Sequence, residues 1–322
     1  MVATLDAARA GDEGAFRKLV EPFRRELTAH CYRMSGSLHD AEDLAQESLL
    51  RAWRGLGSFE GRASLRTWLY RVTTRVCLDS LDMKAPRLLP MDYEAANKPF
   101  APPRMEPVWL EPCPPELYAD ALSPDAAVSA RESVALAFLA ALQRLPARQR
   151  AVMILRDVVG YEASEVAELL EMSVAAANSA LQRARDTLSK PAETPAPDAS
   201  TRALLERYVR AWETADVELF VQLLHEDATL AMPPIPTWLQ GAAIIGPAVR
   251  GMVLPPEANG RFKLVLAEAN GLPALAAYEK RDDGSFAPAS LHLLNIREGR
   301  VASIDAFMDP TLFALFGLAA RL

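Results

Sequence analysis

The stretch from 173 to 185 carries polar side chains whose types and spacing suit contact with a DNA duplex. Amide side chains can pair with adenine edges, and arginine can hold a guanine or a phosphate. The polar positions in this stretch are Ser173, Asn178, Ser179, Gln182, Arg183 and Arg185. The sequence predicts that these side chains contact DNA, on condition that the stretch is a helix whose other face is buried.

Apolar residues at helical spacing favour that condition. They recur every three or four residues, which predicts one buried face of a helix from about 174 to 188. These positions are Val174, Ala177, Leu181 and Ala184. Ser173 is suited to cap this helix, and Ser164 is suited to cap the one before it. Two helices meeting at such a corner resemble a helix-turn-helix, but a plain helical hairpin with solvated polar residues fits this stretch equally well.

Periodicity and proline content divide the chain into five segments. Helical spacing prevails in 1–84 and again in 125–190, whereas 85–124 holds ten of the 24 prolines. Proline removes backbone donors and blocks helix, so 85–124 is predicted to be an extended acidic linker. Residues 191–200 form a shorter proline-rich joint. Residues 201–322 open with an amphipathic helix and continue with strand-like runs, which predicts an α+β domain.

Three apolar residues in the linker are unusual for a solvated segment. Trp109, Leu110 and Leu117 stand among prolines and acidic residues. Large apolar side chains are more stable against another surface than in water. We therefore expect the linker to dock on a surface.

The charge distribution argues against strong unaided binding to nucleic acid. The net charge is −7, with the acidic excess in 85–124 and after residue 190, while the two helical segments are close to neutral. Neutralisation of phosphates supplies most non-specific affinity for DNA. We therefore expect the chain to need a partner in order to bind DNA well.

Cysteine usage and hydropathy predict a cytoplasmic protein without a cofactor. Cys31, Cys77 and Cys113 are scattered, odd in number and without a CxxC pair, so neither a disulfide framework nor a metal site is expected. No apolar run approaches the ~20 residues of a membrane span. The first residues also lack the basic start and apolar core of a signal peptide, so we expect no membrane association.

Two longer motifs carry a family resemblance. "LQRLPARQRAVMILRDVVGYEASEVAELLEMS", running into "SALQRARDTL", resembles region four of the sigma-70 family of transcription initiation factors. "SGSLHDAEDLAQESLLRAWRGLGSFEGRASLRTWLYRVTTRVCLDSL" resembles region two of the same family. Their order, their spacing and the absence of other sigma regions resemble the extracytoplasmic-function type. The resemblance covers residues 1–190 and implies two all-α helical domains, the second of them a helix-turn-helix.

The resemblance to region two implies a contact with the coiled coil of the polymerase β′ clamp. The residues that it assigns to this contact are Asp40, Glu42, Asp43, Gln46 and Glu47. Carboxylates also suit the positive end of a helix dipole, and Asp40 is placed to cap the helix. An ordinary acidic first turn would explain the carboxylates alone, but it leaves the Gln46 and arginine pattern that follows unexplained.

The next part of region two is implied to open and hold the minus-ten element. Cations interleaved with an aromatic ring and small polar residues suit a strand whose bases are unstacked. The residues assigned to this DNA contact are Phe59, Arg62, Ser64, Arg66, Arg71, Thr74 and Arg75. Trp68 is better explained as core, because it can share a face with Leu65 and Leu69.

Region four is implied to contact the polymerase β flap and the minus-thirty-five element, but it departs from the family at three positions. Many members have glycine at the corner where Glu171 stands, and basic residues where Asn178 and Ala180 stand. These departures weaken the expected phosphate contacts. The sequence "SVAAANSALQRAR" instead resembles subgroups of the extracytoplasmic-function type that carry an extra C-terminal domain.

Residues 201–322 resemble the SnoaL-like branch of the NTF2-like fold, in which a curved sheet and helices enclose a conical cavity. The resemblance rests on the opening helix, on "LLHEDATLAMPPIPTWLQG" and on the closing strands. The candidate cavity residues are Tyr208, Trp212, His225, Asp227, Trp238, Tyr278, His292 and Asp305. His225 and Asp227 have the spacing of an acid/base pair, but no nucleophile or metal cluster accompanies them. We predict no catalytic residue and a regulatory domain.

Together these features predict a multidomain RNA polymerase sigma factor that is regulated in cis by its C-terminal domain. The expected partners are core polymerase and promoter DNA, with a small molecule in the cone as a further candidate. Two alternatives stay open. One is a ligand-responsive helix-turn-helix regulator that acts without polymerase, and the other is a sigma factor fused to an active isomerase or hydrolase.

Overall fold

The computed structural model describes residues 2–61, 63–82, 84–104, 109–118, 130–188 and 199–322. The chain divides into two compact units whose boundaries differ from the predicted segments. Unit one consists of 1–87 and 116–191, and unit two consists of 88–115 and 192–322. Both helical segments therefore belong to unit one, whereas most of the predicted linker belongs to unit two with the C-terminal domain.

The first half of unit one is helical, as predicted. Its described helices are α1 (Val2–Arg9), α2 (Glu13–Ser35), α3 (Leu38–Gly55) and α4 (Leu65–Leu81). Gly36, at φ 72°, ends α2 in the left-handed conformation that glycine adopts without a Cβ clash. The prediction that Asp40 caps α3 is wrong. Ser37 is the cap and accepts a hydrogen bond from the Asp40 amide at 3.0 Å, which leaves Asp40 in the first turn.

After α5 (Pro90–Tyr93), which lies in unit two, the chain returns to unit one with the helix-turn-helix. The described helices there are α6 (Leu136–Gln143), α7 (Ala147–Met153), α8 (Ala163–Leu169) and α9 (Val174–Thr187), with a π-helical turn at Ile154–Val158. The predicted second helix is confirmed, and Ser173 caps α9 by accepting from the Ala176 amide at 3.1 Å. The Ser164 cap is wrong, because Glu162 precedes α8. Val174, in the first turn of α9, is exposed, and Ala180 joins the buried face instead.

Unit two contains a mixed α+β domain, as predicted. Its remaining described elements are α10 (Ala199–Glu213), α11 (Val217–Leu223), β1 (Leu224–Met232), β2 (Ile235–Gln240), α12 (Ala242–Met252), β3 (Phe262–Ala269), β4 (Leu272–Lys280), β5 (Phe286–Arg297), β6 (Arg300–Phe307) and α13 (Leu312–Leu315). The sheet order is β2-β1-β6-β5-β4-β3, with only β1 and β6 parallel among these described strands. Helices α10, α11 and α12 cover one face of this sheet around a core that includes Tyr208 and Phe220. Within the described residues, no helix is long and apolar enough to cross a membrane.

A two-residue Asn-Gly turn joins β3 to β4. Asn270 and Gly271 both have positive φ, 52° and 74°, which is the requirement of the type I′ hairpin turn. The Asn270 side chain also accepts a hydrogen bond from the Cys113 amide at 2.9 Å, while the Asn270 amide donates to the Cys113 carbonyl at 3.0 Å. A turn that the local sequence dictates is thus also an attachment point for the linker.

The docked linker, residues 88–104 and 109–115, packs on the C-terminal domain, which confirms the expectation that it docks on a surface. At strand β2 the Asn97 amide donates to the Trp238 carbonyl, and the Gln240 amide donates to Asn97 Oδ1, both at 2.9 Å. Trp109 and Leu110 are buried. Leu117 lies beyond this segment, in unit one, and is half-buried.

Candidate polymerase and DNA interfaces

One face of α3 carries the residues predicted to bind the polymerase clamp. The helix buries Ala41, Leu44, Ala45 and Ser48 against its neighbours. Glu42, Asp43 and Gln46 are exposed on the rest of its surface. An acidic helix face anchored by an apolar stripe is a suitable contact for a complementary partner surface.

The other two predicted clamp residues are engaged within the chain. Asp40 accepts from Lys84 Nζ at 3.1 Å and from an Arg87 guanidinium nitrogen at 2.9 Å. Partial burial alone would raise the pKa of Asp40, but the hydrogen bonds and charges of Arg87 and Lys84 lower it below its ordinary value. Glu47 accepts from Arg51 at 2.7 Å, one helical turn away. Of the five residues of α3 that are predicted to contact the clamp, three are therefore exposed.

Two of the residues predicted to contact the minus-ten element are buried within unit one. Phe59 is 7% exposed and packs on Trp68, with 5.3 Å between ring centroids. Thr74 is fully buried, and its hydroxyl is hydrogen-bonded to His30 Nε2 at 2.9 Å. Burial and the charge of Arg33 lower the pKa of His30 to about 3, so this imidazole is neutral. Trp68 is half-buried against Phe59, in line with its predicted packing role.

The remaining minus-ten residues that the structure describes lie on or just before α4. Ser64 caps this helix by accepting from the Thr67 amide at 3.0 Å, so its hydroxyl already has a structural role. Arg66 forms an ion pair with Glu26 at 2.7 Å. Arg62 lies outside the described residues.

Arg71 and Arg75 point from α4 toward the helix-turn-helix within unit one. Arg71 donates to Glu168 Oε1 at 2.7 Å. Arg75 lies 3.7 Å from Glu171 Oε1 and is largely exposed. These two predicted DNA-facing cations are thus paired with carboxylates of α8 and of the corner that follows it.

Helix α9 presents its predicted polar set to solvent. The exposed members of this set include Asn178, Ser179, Gln182 and Arg183. The opposite face of the helix, which consists of alanines and Leu181, is buried. Arg185 is exposed too, but Asp157 accepts from it at 2.7 and 2.9 Å. The hydrogen bonds and charge of Asp157 raise the pKa of Arg185. This bidentate pair fixes the direction of the guanidinium group.

Sequence reasoning missed the carboxylates that hold these arginines, namely Glu26, Asp157, Glu168 and Glu171. Arg71 and Glu168 are 97 residues apart in the chain, so no local pattern links them. A signal was present at Glu171, which stands where many family members have glycine. Its φ is 53°, a conformation that a residue with a Cβ adopts at a cost.

Three of the predicted cone residues come together on the helix-covered face of the sheet. Tyr208 and His292 Nδ1 are hydrogen-bonded at 3.2 Å, and His292 Nε2 is hydrogen-bonded to Ser290 at 2.8 Å. The Trp212 ring lies 4.6 Å from the His292 ring. Burial lowers the pKa of His292 to about 4. Both ring nitrogens of this neutral histidine therefore have partners inside the core.

The other predicted cone residues are not part of this cluster. Trp238 and Tyr278 point away from it. Trp238 donates to the Glu94 carbonyl of the docked linker at 2.7 Å, and Tyr278 donates to the Ala319 carbonyl at 2.9 Å. His225 is hydrogen-bonded to Asp227 near Arg297 at the protein surface. The alternation of side chains along strands explains this outcome, since sequence neighbours face opposite sides.

Asp305 also lies on the face opposite the cluster. It is paired across the sheet with Leu293 of β5 and Ala231 of β1, and α5 of the docked linker contacts β1. Among the described residues, Asp305 Oδ1 is buried without a hydrogen-bond partner. Burial raises the pKa of Asp305 to about 7. Within the same described residues, no group of three or more His, Cys, Asp or Glu side chains is arranged to hold a metal ion.

Two family descriptions match unit one. Sigma-70 region 2 matches residues 19–86, and Sigma-70 region 4 matches residues 135–188. The first match contains α3 and α4, and the second contains the helix-turn-helix.

Longer relatives extend the similarity over nearly the whole chain. The ECF RNA polymerase sigma factor SigG of Mycobacterium tuberculosis is 44% identical over 317 residues, which is 95% of this chain and 84% of that protein. SigJ of the same organism is 29% identical over 309 residues, 91% of each chain. The crystal structure of Mycobacterium tuberculosis SigJ matches with a TM-score of 0.60 at 26% identity, covering 94% of this chain and 99% of that one.

Proposed function

Because the chain belongs to the extracytoplasmic-function RNA polymerase sigma factors of the sigma-70 family, we propose that the exposed face of α3 binds the β′ clamp and that α9 reads promoter DNA. One observation carries this proposal. Glu42, Asp43 and Gln46 project from a helix whose opposite face is buried. Such a surface has no role in the core of unit one, so its charges are available to a partner.

A helix-turn-helix regulator that works without polymerase is the competing function. It would have no use for an acidic helix face on α3. Purified core polymerase should therefore be retained by the immobilised full-length chain and should initiate run-off transcription from a cognate promoter. A chain that binds promoter DNA with full affinity but never retains core polymerase would establish the competing function instead.

The DNA contact of α9 is tested at Arg183. We expect Arg183→Ala to weaken promoter binding, because this side chain is exposed on the polar face of α9. A lost base contact should cost ~1–3 kcal/mol and relax specificity at one base pair, whereas a lost phosphate contact should reduce the slope of the salt dependence by ~1. Fluorescence anisotropy of the polymerase complex over a salt series distinguishes the two. Arg207→Ala, the same change at an exposed residue of α10 in unit two, is the control.

We propose that unit two regulates initiation through the docked linker. This linker connects α4 of region two to the helix-turn-helix, and its middle is attached to the C-terminal domain at β2 and at the Asn270 turn. Any change in that attachment changes the length of chain available between the two sigma regions. The domain thereby controls the separation that the regions can reach on polymerase.

The linker attachment is tested by replacing Asn97 and Asn270 with glycine. Both residues have positive φ, 59° and 52°, so glycine removes the side-chain hydrogen bonds without straining the backbone. Asn97→Gly/Asn270→Gly should increase proteolytic cleavage of the linker and change the yield of run-off transcript severalfold. Glu298→Gly, in the β5–β6 turn at φ 54°, is the matched control. A linker that becomes protease-sensitive while transcription stays unchanged would contradict the proposal.

The same domain is proposed to be non-enzymatic. His225 and Asp227 form a hydrogen-bonded pair beside Arg297, and Asp227 is exposed at the protein surface. His292 is neutral and hydrogen-bonded on both nitrogens by Tyr208 and Ser290. General acid–base catalysis needs a titrating group within reach of a bound substrate, and neither histidine meets both conditions.

A further inference from the structure

We propose that Glu168 and Glu171 hold the helix-turn-helix closed on α4, so that the free chain keeps its minus-ten cations away from promoter DNA. The proposal rests on the assignment of Arg71 and Arg75 to DNA contact within the proposed function. It adds residues of region four that regulate access to those cations. The four residues together are named the α4 latch.

The α4 latch has a tight pair and a looser pair. Glu168 accepts from Arg71 at 2.7 Å, and the Arg71 side chain is 37% exposed. Glu171 lies 3.7 Å from Arg75, and both side chains are largely exposed. A groove of about 190 Å³ separates the helices here, and its lining includes Leu170 as well as both arginines. Both ion pairs therefore lie at the solvent-exposed rim of the contact between α4 and the helix-turn-helix.

A buried interface lies beside the latch. The ring of Tyr161, just before α8, packs edge-on against Tyr70 of α4 with 5.6 Å between centroids. The Arg66 guanidinium lies 5.5 Å from the Tyr161 centroid and is held by Glu26. Arg150 of α7 is buried and donates to the Met34 carbonyl of α2. Ring packing and a buried arginine stabilise the closed arrangement, and the carboxylates of the latch adjust its stability.

The backbone at Glu171 supports a specific role for this carboxylate. The residue has φ 53°, which is a left-handed conformation that glycine adopts without cost and a longer side chain does not. For the turn between α8 and α9 alone, glycine would be the more stable residue at position 171. Glutamate at this position instead places a negative charge 3.7 Å from Arg75 of another helix.

Closure and DNA contact compete for the same cations. A guanidinium that is paired with a carboxylate cannot bind a phosphate with the same nitrogens, and the carboxylates repel the DNA backbone. Exposed ion pairs contribute little each and are screened by salt. The latch is therefore weak enough for polymerase binding to open it, and we expect closure of the free chain to weaken as salt is raised.

The latch is tested by measuring the distance between regions two and four directly. Spin labels are attached to cysteines that replace Lys18 on α2 and Thr187 on α9, both exposed, whereas the natural cysteines are buried. Glu168→Gln/Glu171→Gln removes both carboxylates of the latch. Glu206→Gln/Glu257→Gln removes two exposed carboxylates of unit two and gives the same change in net charge. Full-length chains without polymerase are compared in low and high salt.

The latch variant is expected to show a severalfold larger population of long distances at low salt and a smaller response to added salt. The control pair should match the wild type. Arg71→Glu should open the chain in the same way, and Arg71→Glu/Glu168→Arg should restore closure. Latch and control variants with identical distance distributions would overturn the proposal. Because no polymerase is present, this result is independent of whether the chain binds the clamp or initiates transcription.

Discussion

The Asp43→Arg chain is expected to bind core polymerase at least about thirtyfold more weakly than the wild type while remaining fully folded. Asp43 is exposed in the N-terminal half of α3, beside Glu42 and one turn before Gln46. Reversal of a charge inside a complementary interface costs about 2–5 kcal/mol, and each 1.4 kcal/mol is tenfold in affinity. Loss of a favourable carboxylate near the start of a helix costs only ~0.3–1 kcal/mol of stability.

Equilibrium competition for labelled core polymerase gives the affinity, and thermal unfolding monitored by circular dichroism gives the stability. Glu206→Arg on α10 is the control, since it makes the same change in charge at an exposed helical position of unit two. Near-normal polymerase binding by the Asp43 variant, with the control also normal, would show that the exposed face of α3 does not contact the clamp.

The helices of unit one and the position of the recognition helix could be predicted because their signals are local. Apolar residues three and four apart mark the buried face, and Ser173 caps α9 as predicted. The cap of α3 was misassigned because Ser37 and Asp40 are both good capping residues close together. The helix starts at Leu38, so Ser37 is the residue whose side chain caps it.

The distribution of residues between the two faces of the sheet could not be predicted in the same way. Strand β2, which contains Trp238, is too short and irregular in its alternation of apolar and polar residues to be recognised from the sequence. A shift of one residue in the register of a strand also moves every side chain to the other face of the sheet. Tyr278 and Asp305 were therefore placed with His292, although the strand pairing puts them on the opposite side. That side is where the docked linker lies, at Trp238, and only long-range contacts specify this surface.

The carboxylates that pair with the arginines could not be predicted from the sequence either. Arg71 and Arg185 were identified by type and position, but the carboxylates that hold them come from other helices. The sequence of α4 indicates that it can contact DNA. It does not indicate that the same cations are engaged in the free chain, because an ion pair between distant residues leaves no local periodicity.

Asp305→Asn is expected to stabilise unit two at neutral and alkaline pH and to remove the fall in stability that Asp305 contributes between about pH 4 and pH 7. The buried His292, whose pKa is lowered to about 4, contributes a rise over the same range in both chains, so the effect is read as the difference between variant and wild type. Burial raises the pKa of Asp305 to about 7, and its Oδ1 is without a hydrogen-bond partner among the described residues. Folding therefore favours the protonated carboxyl. The unfolded chain loses this proton near pH 3.9, so the contribution of Asp305 to the free energy of unfolding falls as pH rises from about 4 to 7 and is level above that range.

The size of this effect follows from the difference between the two pKa values. One pKa unit corresponds to 1.36 kcal/mol, so Asp305 contributes a loss of stability of about 4 kcal/mol between pH 4 and pH 8. Asparagine has nearly the shape of the neutral carboxyl and cannot ionise. The stability advantage of Asp305→Asn over the wild type should therefore grow through this window and reach its full value by about pH 8.

Hydrogen exchange of β6 peptides in a urea series, with wild type and variant compared at each pH, gives the stability of unit two separately from unit one. Asp227→Asn is the control, because Asp227 is an exposed carboxyl on the same sheet whose pKa is lowered by its hydrogen bond to His225. Its replacement should produce a small effect of the opposite sign. Equal pH dependence in the wild type and Asp305→Asn would mean that the buried carboxyl ionises without cost, and that the face of the sheet beneath the docked linker is accessible to water.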